Sequence, residues 1–380
     1  MADRVSIGLL LPLSGSSAVL GRSLLDAAQL ATFEVAVKNF VLLPRDTAGT
    51  PEGARAAAAS AIENGAKFLL GPVFAASALA AAPLVRDAGI NMLAFTNNRA
   101  AAGNGAFVMG FLPSQRIDRV ISYAASQGAA RFAALLPEGP YGDGASDAFV
   151  QAVQRAGASV VRIERYGSDS QSTAAAAKRL GNYDARRQEL LAQRRILSKT
   201  RNEVSRRALK RLENLETLGD VDFDAVLLLE SGDALKGLAP LLPYYDIDTR
   251  TVRVLGIDDW SSRSLRREPS LARAWFASPS VDAVADFRAR FQKIYGRSPH
   301  ALAPLAYDAT ALAAVLASRD GRAEFNVEAL TGANGFAGSA GLFRLLKSGL
   351  VEHQFAVYEV RQDKIRTISE AAQVFEVLGN

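Results

Sequence analysis

The sequence predicts an α/β fold of two lobes, each built on a parallel sheet. Three observations predict it. Short apolar runs alternate with Ala-rich helical stretches over the first third of the chain. The alternation breaks at Pro113 and starts again after it. The chain has 380 residues, more than one compact core ordinarily holds.

The elements follow in order. Val5–Leu11 reads as a strand and Gly21–Val37 as a helix, joined by a turn at Ser14–Ser17. Phe40–Pro44 is a strand ending at "RDTAG", and Pro51–Asn64 a helix with Pro in its first turn. Phe68–Leu70 is a strand into "GPVFAAS", followed by helix Ala78–Asp87. Ile90–Phe95 is a strand into "TNNRAA". In such a sheet the functional loops lie at the carboxyl ends of the strands: Ser14–Ser17, Asp46–Gly49, Pro72–Ser77 and Thr96–Arg99. The second series runs helix Ser114–Gln127, strand Phe132–Leu136, loop "PEGPYGDG", helix Ala145–Ala156 and strand Ser159–Tyr166. A helical segment at Asn182–Leu215 precedes strand Ala225–Leu229, helix Gly232–Leu242 and strand Val252–Gly256. Helices at Val281–Tyr295 and Pro304–Ser318 come next, and "QFAVYEVRQDKIRTI" reads as a hairpin turning at Gln362–Asp363. "GFAGSAG", Gly335–Gly341, has no strand before it and reads as a turn or hinge.

Apolar residues make up 49% and charged residues 22%, a globular composition. No apolar run approaches the ~20 residues that span a bilayer. There are no cysteines, which removes disulfides, Cys-ligated zinc, iron–sulfur clusters and thiol catalysis together. The formal charge is +5. Between Lys178 and Glu216, 12 Lys/Arg stand against 5 Asp/Glu, a net of +7, so the rest is near −2. That local excess argues against a nucleic-acid groove through the fold. Leu190, Leu191, Ile196, Leu197, Val204, Leu209, Leu212 and Leu215 recur within it at near-helical spacing. This predicts an amphipathic helix or helical pair, inserted at about 178–218 as a solvated element or as an arm for a partner or anionic surface.

Tests for catalysis fail one after another. Five residues separate Gly15 from Gly21, one more than a phosphate loop has, and Arg22-Ser23 follows, so the first turn is not a phosphate loop and makes no dinucleotide fingerprint. Only His300 and His353 are present, and both read as surface residues; no serine elbow or zinc helix motif occurs. Asp258-Asp259, at a strand end, reads as a loop cap or ligand hydrogen bonder rather than a cation site. No enzyme activity, metal or cofactor is expected. What remains is a cleft that binds a small molecule without transforming it.

"IGLLLPLSGSSAVLGRSLLDAAQLA", "GAKFLLGPVFAASALAAAPLVRDAGINMLAFT" and "PYGDGASDAFVQAVQRAGASVV", in that order, resemble the type I periplasmic binding proteins. These include the receptors of branched-chain amino-acid ABC transporters. "FQKIYGRSPHALAPLAYDATALAAVLA" matches the family's late helices. The resemblance implies two Rossmann-like lobes joined by a three-segment hinge that closes on a ligand. Mapped here, lobe one is 1–112 plus 257–335 and lobe two is 113–256 plus 336–380.

The resemblance also implies site residues. The family's carboxylate-binding Ser maps onto Ala75, with Ser77 two residues on. Its Ala-Thr pair maps onto Asn97-Asn98, and its first-loop aromatic falls near Leu20. These are departures. The lobe-two tyrosine that closes over the ligand matches Tyr141, and an acid facing the ligand amine matches Asp258. The expected ligand set is therefore Ser14, Ser17, Phe74, Ser77, Phe95, Thr96, Asn97, Tyr141 and Asp258. The carboxyl-terminal domain of penicillin-binding-protein activator lipoproteins is also similar, through "LAFTN" (Leu93–Asn97) and "DFDAVLLLESGDALKGLAPLLPYYDID". The two resemblances imply alternative partners: the membrane permease of an ABC transporter, or a peptidoglycan synthase. Both imply the periplasm, with Met1-Ala2-Asp3 read as a start from which an export signal has been removed.

Overall fold

The computed structural model describes residues 4–200, 202–318 and 323–375. The chain divides into two compact units. The first runs to Leu112 and takes up Pro279–Phe355 and the residues from Ala371. The second is Pro113–Ser278 with Ala356–Glu370.

The first unit opens with β1 (Val5–Leu11), α1 (Ala18–Val35), β2 (Phe40–Asp46), α2 (Pro51–Glu63), β3 (Ala66–Leu70), α3 (Ala75–Asp87), β4 (Asn91–Ala94) and β5 (Ala106–Val108). The strands form one sheet in the order β2-β1-β3-β4-β5, and each pairing is parallel. Both faces are covered, so β1 and β3 carry near-continuous apolar runs rather than alternation. Gly8 is required at the close approach of β1 to β3, where a Cβ would stand 2.4 Å from Leu69 Cδ2. Thr50 caps α2 by accepting from the Gly53 N–H, and Pro51 fills the first helical position.

The second unit contains α4 (Pro113–Ser126), β6 (Arg131–Pro137), α5 (Pro140–Arg155), β7 (Ser159–Tyr166), α6 (Ser170–Leu180), α7 (Tyr183–Lys199), α8 (Glu203–Leu212), β8 (Ala225–Leu228), α9 (Gly232–Leu238), α10 (Leu241–Tyr244), β9 (Arg253–Gly256), α11 (Arg263–Arg266) and β10 (Trp275–Ser278). The chain then returns to the first unit for α12 (Val281–Tyr295), α13 (Ala303–Ser318), α14 (Val327–Leu330), β11 (Phe336–Gly338), β12 (Gly341–Leu345) and β13 (Val351–His353). Finally β14 (Ala356–Val360) and β15 (Ile365–Ser369) complete the second unit's sheet, ordered β15-β14-β10-β9-β8-β6-β7. Its centre is parallel, and β14 and β15 add antiparallel strands at one edge.

Two segments fall on the other side of the boundaries expected from the sequence. Residues 257–278 stay with the second unit because β10 pairs with β9 and β14. Residues 336–355 stay with the first because β11, β12 and β13 form a small antiparallel sheet whose Phe343, Leu345 and Val351 enter that unit's core. The "GFAGSAG" segment is thus a strand and its tight turn, not a hinge alone. His353 is buried, against its expected surface place, with Nε2 3.2 Å from the Met109 carbonyl and its ring against Phe111 and Phe343.

α1 packs along α13 in the first unit, and the two share Leu24, Ala27, Ala28, Leu305, Ala309 and Leu312 with one core. Hydrogen bonds tie α1 to the end of α12 and to the loop before α13: Tyr295 Oη donates to the Asp26 carbonyl at 2.8 Å, and the His300 N–H donates to Ser23 Oγ at 2.8 Å. In the second unit Ile117, Val120, Ile121 and Ala124 of α4 meet Phe149, Ala152 and Val153 of α5 over the sheet. The basic segment is the expected helical pair, α7 and α8.

Candidate ligand-binding site

Because the first unit's sheet is parallel, the loops after β1, β2, β3 and β4 share its carboxyl edge. Asp46, at the end of β2, organises two of them. Its Oδ1 accepts from the N–H groups of Leu13 (2.8 Å), Ser14 (3.2 Å) and Ala48 (2.8 Å). Burial pushes its carboxyl up, but the hydrogen bonds from Ser14, Ala48 and Leu13 outweigh that and leave it below the usual range. The N–H groups of Leu13, Ser14 and Ala48 are therefore taken up by the chain's own carboxylate. Ser14 is exposed and Ser17, at the N-cap of α1, half-buried with no side-chain capping bond.

Phe74 stands at the N-cap of α3 and is half-buried. A Cβ on Gly49 would lie 3.3 Å from its Cε2, so the ring rests against the loop after β2. Ser77, in the first turn of α3, is 1% exposed, and its Oγ has no hydrogen-bond partner among the described residues. After β4, Phe95 is a core side chain, 2% exposed. Thr96 is also buried, and its Oγ1 accepts from the Asn98 N–H at 3.1 Å. Asn97 is exposed, while Asn98 Oδ1 accepts from the Ala100 N–H. Of the residues expected here, Ser14, Ser17, Phe74 and Asn97 present surface at this edge, Ser77 and Thr96 lie beneath it, and Phe95 is packing.

In the second unit Tyr141 is the second residue of α5, because the helix begins at Pro140 and takes in part of the expected loop. Its ring is half-exposed. Burial raises its hydroxyl pKa, the negative charges of Asp258 and Glu230 raise it further, and Arg116 opposes them. Asp258, after β9, already has a partner: Arg116 Nη1 of α4 lies 3.0 Å from its Oδ1 and also donates to the Ile257 carbonyl. Asp259 Oδ1 caps its own loop by accepting from the Ser261 N–H.

Glu230 and Tyr166 complete this edge and were not singled out from sequence. Tyr166 Oη, at the end of β7, donates to Glu230 Oε1 at 2.5 Å. Burial first, then that bond and the Glu230 charge, raise the phenol's pKa. The signal for Glu230 was present: it ends the apolar run "AVLLLE", the same strand-end rule that picked Asp258. Tyr166, Thr173, Glu230, Asp233 and Leu238 line a cavity of about 520 Å3 at the ends of β6, β7 and β8. Asp169 and Asp233 on its wall are engaged, as the α6 cap and with Lys236. Gly256 fixes the wall behind, since a Cβ there would stand 2.1 Å from Cζ2 of the fully buried Trp260, whose Nε1 donates to the Glu230 carbonyl. Among the described residues no group of three or more His, Asp or Glu is arranged to hold a metal ion. Among them, too, no helix is long and apolar enough to cross a membrane.

Residues 4–192 match the model of a family described as periplasmic binding protein. Among solved structures, a candidate branched-chain amino acid ABC transporter protein of Rhodospirillum rubrum is similar at 17% identity and TM-score 0.75, over 96% of this chain and 100% of that one. A solute-binding protein of an ABC transporter from Rhodopseudomonas palustris BisB5, in complex with 3,4-dihydroxybenzoic acid, is similar at 17% identity and TM-score 0.65, over 98% of each chain. The LivJ protein of Streptococcus pneumoniae, in complex with isoleucine, is similar at 16% identity and TM-score 0.59, over 97% and 100%. An uncharacterized protein of Rickettsia prowazekii (strain Madrid E), RP748, is 24% identical over 178 residues. That match spans 47% of this chain and about half the length, 47%, of the relative.

Proposed function

The matched segment, residues 4–192, belongs to the periplasmic binding protein family, and the chain has the type I fold of that family; from this premise we propose that it is an extracytoplasmic solute receptor of an ABC transporter. It holds a small polar ligand that carries an amine, amino-acid-like in character, and transforms nothing. The observation that carries the reading is the cavity of about 520 Å3 in the second unit, with Glu230 and Tyr166 in its wall. Its volume lies in the range of small-ligand sites, about 300–1,000 Å3. A carboxylate beside a phenol favours a cationic group. Tyr141, half-exposed and within the field of Asp258 and Glu230, supplies an aromatic face and a hydroxyl.

A thermal-shift screen with amino acids, simple carboxylates, hydroxybenzoates and peptidoglycan fragments tests it. A ligand of micromolar affinity stabilises the folded chain by about 4 kcal/mol at millimolar concentration. Amine-bearing ligands are expected to shift the protein, and carboxylates lacking an amine to shift it less. No shift with any of them would sink the receptor reading. It would leave the partner-contact role implied by the activator lipoproteins, which capture of a peptidoglycan synthase checks directly.

A further inference from the structure

The α7–α8 hairpin has a fixed base and an unpartnered outer part. At the base, Arg186 is buried and its guanidinium donates to the carbonyls of Gly181 (3.2 Å), Asp246 (3.1 Å) and Gly219 (2.5 Å). Leu190 is buried beside it. Beyond Leu190 no residue of α7 is buried, and in α8 only Ser205 is, among the described residues. The two helices are tied to each other by Arg194, whose Nη2 donates to the carbonyls of Leu212 (2.5 Å), Glu213 (3.1 Å) and Leu215 (3.0 Å) at the end of α8. The outer part is thus a built element rather than a frayed one.

Charge pairing holds some of the segment's cations and leaves several in its outer part over. Lys178 pairs with Asp184 at 2.7 Å, Arg187 with Glu216 at 2.9 Å, and Arg207 with Glu203. Arg195, Lys199, Arg206, Lys210 and Arg211 have no carboxylate partner among the described residues. Arg194, Arg195, Arg206 and Lys210 line a groove of about 760 Å3 between the helices, against a single carboxylate, Glu213. Aliphatic side chains stand out beside these cations. Leu191, Ile196 and Val204 are 48%, 60% and 75% exposed. Ile196 and Val204 flank the connection between the helices.

We propose that the outer half of the α7–α8 hairpin docks on the surface of an anionic phospholipid bilayer. Cations together with exposed aliphatics on one helical element match an interface whose headgroups are anionic and whose next layer is apolar. An acidic polypeptide without apolar side chains would neutralise the cations and leave Ile196 and Val204 in water. The charge asymmetry selects the contact. The segment from Lys178 to Glu216 is +7 and the rest of the chain near −2, so an anionic surface attracts this hairpin and repels the remainder.

Co-sedimentation of the full chain with vesicles tests the proposal. Binding is expected to phosphatidylglycerol-containing vesicles and not to pure phosphatidylcholine, and it should weaken as salt shortens the screening length to about 3 Å near 1 M. The variant R195Q/K199Q/R206Q/K210Q/R211Q should lose binding by about a hundredfold or more. The variant K38Q/R55Q/K67Q/R288Q/K293Q loses the same charge elsewhere and should stay within about twofold. I196S/V204S should remove the part of binding that survives high salt. If the fivefold hairpin variant fails to fold, R206Q/K210Q carries the same test with a loss of about thirtyfold. Equal losses in the two fivefold variants, or an undiminished hairpin variant, overturn the proposal. So does hairpin-dependent binding to polyglutamate without binding to anionic vesicles, which would assign the surface to an acidic protein.

Discussion

At the first unit's strand edge the organising carboxylate, Asp46, is held by three backbone N–H groups. At the second unit's edge the acids are held by side chains: Glu230 by the Tyr166 phenol, Asp258 by Arg116. Backbone donors are fixed by the turn that carries them and cannot be given up without unmaking it. A phenol or guanidinium can rotate and exchange partners. The first arrangement builds a loop, and the second leaves acids that a ligand can compete for. Asp308 extends the first kind into the interior: it is 4% exposed on α13, its Oδ1 accepts from the Ser339 N–H at 2.6 Å, and burial pushes its carboxyl up to about 7 despite that bond.

The largest effect expected from this contrast is at Asp308. Its folded pKa lies above its unfolded one, so the folded chain binds the extra proton between about pH 4 and 7 and loses stability as pH rises through that window, by on the order of 4 kcal/mol. Asp308→Asn, which keeps the oxygen for Ser339, should flatten urea-derived stability across those pH values; an unchanged slope would show that Asp308 is ionised when folded. Next is Gly256→Ala. The new Cβ has no room against Trp260 and should cost about 3 kcal/mol, read as a lower urea midpoint with the slope kept.

Asp46→Ala should cost about 1–2 kcal/mol, since the N–H groups it frees lie near solvent. The sign of its pH dependence is opposite to that of Asp308. Asp46 is depressed, so its contribution is present above the unfolded value near 3.8 and is lost as pH falls through the lower folded value. Acid titrations of Asp46→Asn should show a smaller loss below pH 4 than the parent chain; an identical curve removes the backbone-held role. The smallest effect on stability, and the most informative about function, is Glu230→Gln. It should leave the melting temperature within about 2 °C and weaken an amine-bearing ligand about tenfold, or about 1.4 kcal/mol, measured by calorimetry. A stability loss as large as that of Gly256→Ala would make Glu230 a structural acid and return the second edge to the first kind.

Sequence patterning by itself determined the α/β class and the positions of most elements. β1, β7 and α12 keep the expected bounds, and α1 to α5 and β2 to β4 shift by a few residues at their ends. Helical and strand periods are local properties, readable where apolar residues recur at 3.6 or run unbroken. Short elements escaped for the same reason: β5, β10 and β11 have three or four residues and no period of their own. The division of the chain was decided only in three dimensions, because β10 belongs with β9 and β14 through hydrogen bonds to strands far away in sequence. The site shows the same limit. Strand-end position marked Ser14, Asn97, Tyr141 and Asp258, but whether a marked residue is free, paired or buried depends on neighbours the sequence does not order. Tertiary packing buried Phe95, gave Asp258 to Arg116, spent part of the first turn's N–H groups on Asp46, and brought Tyr166 to Glu230.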